Sequence, residues 1–228
     1  MTAWRHLPHQ PLEKLNQKLW RVDGSLPSLA LRRTMTVMRL DDGGLVVHSA
    51  VSCDDATMRE IDAWGPVRYL VVPNGYHRLD APAWKARYPD ALVLCPPGVH
   101  GKVAERVAVD GHYDRLAGLQ VELLDGTGER EGVFIVEAED GISLVFNDAV
   151  FNHPHFSGFT GWMFRLLGST GKPTVTPTFR LAMVKDKPAF RAHLTRLAAL
   201  PKLRRLVVAH GDVIDERPAE VLQHLATF

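Results

Sequence analysis

Apolar positions in this chain come in short, β-branched runs, most of them closed by glycine, proline or aspartate. Residues 19–24 read as a strand running into a turn, and residues 34–40 alternate with the two-residue period of a half-buried strand. Asp41-Asp42-Gly43-Gly44 is a hairpin signal, and residues 45–50 form the next strand, so the opening is antiparallel. Asp54 is placed to cap a helix to Trp64, with Met58, Ile61 and Trp64 at core-facing spacing, and Gly65-Pro66 ends it. The chain then enters a buried strand at Val67, which stops at Pro73-Asn74-Gly75 because proline lacks the ladder donor and glycine accepts a positive φ. A short helix through Trp84, a strand over residues 91–95 and a further short helix over 99–106 complete the first half.

The second half repeats the plan. Residues 119–124, 132–138 and 142–147 read as three successive strands, separated by Asp125-Gly126 and Asp140-Gly141. Residues 152–177 form a long glycine- and aromatic-rich insertion with a short helix near 162–167, the length of a functional lid or a packing arm. Asp186 caps an amphipathic helix with Phe190, Leu194 and Leu197 on one face. Residues 206–211 are a strand ending in a polar turn, and Pro218 opens a last helix through Leu225.

Composition narrows the class. With 228 residues, 46% hydrophobic and 23% charged, the chain reads as an ordinary soluble globular protein of one large domain or two small ones. A net charge of +1 argues against a nucleic-acid partner, and the basic run Lys202-Leu203-Arg204-Arg205 reads as a solvated edge before a strand. Cys53 and Cys95 supply no disulfide framework and are expected as buried thiols. No apolar signal core opens the chain and no run reaches the roughly 20 residues of a membrane span, so a cytoplasmic protein without a membrane partner is expected.

Three apolar runs end in a polar group of metal-binding type: His77 after Val72, Asp148 after Phe146, and His210 after Val208. Two imidazoles and a carboxylate suit Zn²⁺ first, and Fe²⁺ or Mn²⁺ as well, with coordination positions left for water. The order of these features resembles the metallo-β-lactamase superfamily over most of the chain, from Trp20 to the last helix. The likeness is nearest to a branch in which Pro-Asn-x-x-His precedes a Trp and Tyr-Pro-Asp-Ala, here Pro73-Asn74-Gly75-Tyr76-His77, Trp84 and Tyr88-Pro89-Asp90-Ala91. The resemblance implies an α/β fold, a four-layer αββα sandwich in a single domain spanning 1–228, with one or two metals at the sheets' shared edge.

It also implies losses. With His77 on the last histidine of the superfamily's H-x-H-x-D-H motif, Val72, Asn74 and Tyr76 occupy the other ligand positions, and Asp125-Gly126-Thr127-Gly128 lacks the histidine of a further turn. What survives is at most one metal position of His77, Asp148 and His210, with Asn74, Tyr76, Asp80, His153, His155 and Asp212 as neighbours to substrate or ligands. Two functions follow: a mononuclear metal-dependent hydrolase acting on a small molecule, or a non-catalytic member in which Asn74, Tyr76 and His77 form a hydrogen-bonded network and the cleft binds a small ligand or partner without metal. The insertion as a homodimer arm is a third use. His48 reads as a hydrogen-bonded, semi-buried histidine, and His193 and His224 as helix-edge residues. Phe156, Phe159, Trp162 and Phe164 read as anchors of the insertion.

Overall fold

In the computed structural model, which describes residues 4–228, the chain folds into two compact units. One comprises residues up to Pro27 together with Arg33–Leu119, the other Ser28–Arg32 with Gln120–Phe228. The first holds a six-stranded sheet of β1 (Glu13–Asn16), β2 (Leu19–Gly24), β3 (Arg33–Arg39), β4 (Leu45–His48), β5 (Val67–Val71) and β6 (Leu92–Leu94), in that spatial order. Strands β1 to β4 pair antiparallel; β4, β5 and β6 pair parallel. Each parallel step has a helix as its crossover, as parallel neighbours require: α1 (Asp55–Trp64) and α2 (Ala81–Arg87), followed by α3 (His100–Ala104). The Asp54 carboxylate accepts the Thr57 N–H at 2.8 Å and so starts α1, whose Met58 and Ile61 pack with Val22, Met35, Leu45, Val47 and Leu70. Trp64 lies half-buried at the margin of that core and stacks on Trp20 with ring centroids 3.7 Å apart. Strand β1, three of whose four residues are polar, carries no apolar signal.

The second unit holds β7 (Gln120–Leu123), β8 (Gly132–Ala138), β9 (Gly141–Val145) and β10 (Leu203–Val207), in the order β10-β9-β8-β7. Four helices follow the chain: α4 (Gly158–Leu166), α5 (Pro177–Ala182), α6 (Lys187–Ala198) and α7 (Pro218–Leu225). Asp186 accepts the Ala189 N–H at 3.0 Å to cap α6, and Phe190, Leu194 and Leu197 enter a core with Leu144, Phe146 and Leu206. The long connection from β9 to β10 makes those two strands parallel neighbours.

Several sequence expectations need correction. Strand β10 begins at Leu203, and Arg205 is not on a solvated edge: it is buried, pairs with Asp140 and donates to Ser143 Oγ at 3.2 Å. An arginine inside a strand is tolerated because its planar fork finds an acid and a hydroxyl on the neighbouring strand and turn. His193 is buried, not at a helix edge; Nδ1 accepts the Asp125 N–H at 3.2 Å while Nε2 lies 3.3 Å from Glu122. His48, expected semi-buried, is fully buried. In the insertion, α4 starts four residues earlier than the aromatic cluster suggests, and Phe159 and Trp162 are exposed. Anchoring falls to Phe156 and Phe164, whose rings meet at 5.7 Å.

Candidate functional site

Because β9 and β10 are adjacent and parallel, their carboxyl ends lie side by side. Asp148 and His210 each follow three residues behind those ends, at Val145 and Val207, and the register carries on past them, with the Phe146 N–H bonded to the Val207 carbonyl at 2.9 Å. His210 Nε2 stands 3.2 Å from Asp148 Oδ1. Its Nδ1 stands 2.6 Å from the Arg32 carbonyl oxygen. A carbonyl only accepts, so Nδ1 carries the proton and donates. In a neutral ring Nε2 then presents a lone pair to a carboxylate. Two acceptors at that separation need a cation between them, either a second ring proton or a metal ion.

Backbone geometry makes that placement. Gly211 has φ +119°, and a Cβ there would run into the Asn152 carbonyl. The close approach lets the Asn152 N–H bond the His210 carbonyl at 3.0 Å and the Asp212 N–H bond the Asn152 carbonyl at 3.0 Å, which locks the turn carrying the imidazole. The Phe151 ring lies 4.6 Å from the His210 ring and covers one side of it.

Arg32, which no sequence signal singles out, joins three of the candidate residues. Its carbonyl orients His210, its N–H donates to His153 Nε2 at 3.2 Å, and its guanidinium donates to Asp212 Oδ1 at 2.8 Å. His153 is buried, with Nδ1 2.8 Å from the Pro154 carbonyl. Burial, and then the positive Arg32 nearby, hold His153 below the usual histidine range, in keeping with a neutral ring that donates at Nδ1 and accepts at Nε2. His153 is thereby spent on fixing Arg32. His155 bonds Thr170 Oγ1 at 2.9 Å and packs against Gly171, which ties down the insertion's return turn. Asp212, with an exposed side chain, is the outer partner of Arg32.

In the first unit, the loop after β5 is built around Asn74. Its side chain is fully buried, and Oδ1 accepts the Tyr76 N–H at 2.9 Å and the His77 N–H at 3.2 Å, an Asx-type turn. The Tyr76 side chain points to solvent, 75% exposed, so only its backbone takes part in the network expected of it. His77 Nδ1 lies 2.8 Å from Ser49 Oγ. Ser49 leaves β4 in the left-handed conformation, φ +56°, where the sequence pattern extends the strand to Ala50. A non-glycine residue held there is strained, and here the strain delivers a hydroxyl to an imidazole. Asp80 is committed elsewhere: it accepts from Arg33 Nη2 at 2.5 Å and from the Ser52 N–H at 2.9 Å, tying β3 to the start of α2.

The solved structures similar to this chain include several metallo-β-lactamases. The metallo-β-lactamase FIM-1 from Pseudomonas aeruginosa, described in its mono-zinc form, is 11% identical and superposes with a TM-score of 0.64, covering 97% of this chain and 96% of that one. A metallo-β-lactamase from Pontibacter korlensis is 15% identical at a TM-score of 0.60 over 95% and 98% of the two chains. One from Hirschia baltica is 13% identical at 0.61 over 95% and 98%. No protein-family model matches the sequence, and no curated protein matches it. Among the described residues, no helix is long and apolar enough to cross a membrane. Two mixed sheets with seven helices among the described residues, together with this likeness over nearly the whole chain, give the protein the metallo-β-lactamase fold.

Proposed function

We propose that this protein is a metal-dependent hydrolase of the metallo-β-lactamase fold with a single metal position, whose ligands are Asp148 and His210 together with His77, the histidine that the sequence resemblance implies. One observation carries the reading. His210 donates Nδ1–H to the Arg32 carbonyl and turns Nε2 to Asp148 Oδ1 at 3.2 Å, the orientation a neutral imidazole takes when a cation lies between it and a carboxylate. The donor set fits: two imidazoles and a carboxylate suit zinc, and iron or manganese as alternatives. His77 Nδ1 lies against Ser49 Oγ, which leaves Nε2 available as its ligating nitrogen. A similar structure described as a mono-zinc form is in keeping with one metal rather than two.

A bound divalent cation supplies a Lewis acid and lowers the pKa of a coordinated water to about 7. The chain's own residues then have defined tasks. Asp148 contributes the negative charge, the Arg32 carbonyl and Ser49 hydroxyl fix the two rings, and Phe151 shields His210 from bulk water. The substrate is a small molecule with an ester, amide or phosphoester bond. Hydrolysis of a panel of such esters by the zinc-loaded protein, abolished in His210→Ala, is the test of activity.

A second reading, a non-catalytic member that binds a ligand without metal, has its own support. Asn74, at a motif ligand position, spends Oδ1 on its own loop, and Tyr76, at another, faces solvent. Full retention of ligand binding after metal chelation, with no turnover at any metal loading, favours that reading.

A further inference from the structure

Between Asp148 and Asp186 the chain has no acidic residue, while Arg165, Lys172, Arg180 and Lys185 all fall within that stretch. The same stretch carries α4, whose inward side is fixed: a Cβ at Gly161 would collide with the Phe156 carbonyl, and Phe164, one turn on, meets the Phe156 ring. The opposite side therefore faces out. It presents Phe159, Trp162, Met163 and Leu166, at positions i, i+3, i+4 and i+7 of one helix face, exposed by 78, 59, 38 and 71%. Phe159 and Trp162 stack on each other at 5.8 Å. Leu167 and, on α5, Leu181 add exposed apolar surface. Single exposed apolar residues need no explanation, but a continuous stripe with two stacked aromatics marks a contact surface.

Charge selects the occupant. Arg165 stands on α4 itself, one turn after Trp162, and Lys172 in the loop that follows, and neither they nor Arg180 and Lys185 make an ion pair with an acidic side chain among the described residues. Arg180 instead lies over the Phe228 ring at 4.3 Å. A second copy docking through the same face would set these cations against themselves, since a two-fold interface presents one patch to its own image. An anionic bilayer satisfies both features: aromatic and aliphatic side chains enter the headgroup boundary while lysines and arginines meet lipid phosphates.

We propose that α4 and its flanking cations form a peripheral docking surface for an anionic lipid bilayer. The expectation of no membrane partner follows from the lack of a spanning segment, and a helix lying in the interface needs none. The test is co-sedimentation of the full chain with vesicles of equal parts phosphatidylglycerol and phosphatidylcholine, against vesicles of phosphatidylcholine alone. Binding to the anionic vesicles, weakened by added salt, is expected. Both Phe159→Ser/Trp162→Ser and Arg165→Glu/Lys172→Glu should reduce it by about tenfold or more with circular dichroism unchanged. The wild-type emission should shift to the blue on vesicles and lose that shift in Trp162→Phe. No binding, equal binding to neutral vesicles, or binding indifferent to both double variants would overturn the proposal. So would a solution dimer that Phe159→Ser/Trp162→Ser dissociates, which would assign the face to a second copy.

Discussion

His210 and Asp148 face each other at 3.2 Å from the ends of two adjacent parallel strands, with the far nitrogen of the imidazole committed to the Arg32 carbonyl. On the function proposed, the pair belongs to a coordination set, and its two members are not equivalent. Asp148→Asn keeps the shape and removes the charge. Because partners that merely orient a ligand typically cost about 10–100-fold in metal affinity, loss of this carboxylate should cost at least about 100-fold, measured as zinc affinity by competition with a chromogenic chelator. A change under about threefold would place the metal elsewhere.

Ser49 is the residue that orients His77. Ser49→Ala removes the hydroxyl from Nδ1 while leaving the ligand in place. Zinc affinity should fall by about tenfold with the fold intact. Ser49→Gly also loses the hydroxyl but relieves the positive φ, so it should match Ser49→Ala in affinity and equal or exceed it in stability. Equal affinity in all three proteins would show that the Ser49–His77 bond has no bearing on metal.

Asp80 stands near the motif loop yet serves the framework. Asp80→Ala leaves the buried Arg33 guanidinium with only the Ser25 and Ala50 carbonyls, and leaves the Ser52 N–H without its acceptor. The expected loss is about 2–4 kcal/mol in urea unfolding, with metal stoichiometry unchanged. Loss of metal at full stability would make Asp80 a ligand instead.

Cys53 and Cys95 are both buried, and burial pushes their thiols up, to about 12 and about 11 respectively. They should stay protonated and resist iodoacetamide at pH 8 in the native state, then react once the chain is unfolded. The sign for stability follows. An unfolded cysteine titrates near 8.5. Above that pH the unfolded chain gives up protons that the folded chain keeps, so this contribution is complete below about pH 8.5 and is lost as pH rises toward the folded values. Urea midpoints should fall between pH 8 and pH 10, and fall less in Cys53→Ala/Cys95→Ala. A midpoint that rises over that interval contradicts the assignment.

The local elements were legible where one residue does one local job. Asp54 and Asp186 announce α1 and α6 because an aspartate before an apolar period has a single favourable use, and the Asp41–Gly44 turn fixes the β3–β4 hairpin. The sequence order also pointed to the metallo-β-lactamase fold, which the similar structures bear out. What stayed hidden depends on partners far along the chain. Arg205 lies in a strand only because Asp140 and Ser143 wait beside it, and His193 is buried only because Glu122 and Asp125 meet both its nitrogens. Ser49 and Arg32 gave no signal for a related reason. One acts through a left-handed backbone and the other through a carbonyl, and neither is a property of residue type. Strand β1 is held by pairing with β2, not by its own pattern.

Everything proposed for the site rests on the His210–Asp148 pair holding a metal. Metal content of the untagged full chain, measured by inductively coupled plasma mass spectrometry with and without zinc reconstitution, addresses it without reference to any substrate. About one divalent metal per chain is expected, lost in His210→Ala and in His77→Ala, with both variants folded by circular dichroism. A wild-type chain that carries no metal and takes up none after reconstitution contradicts it.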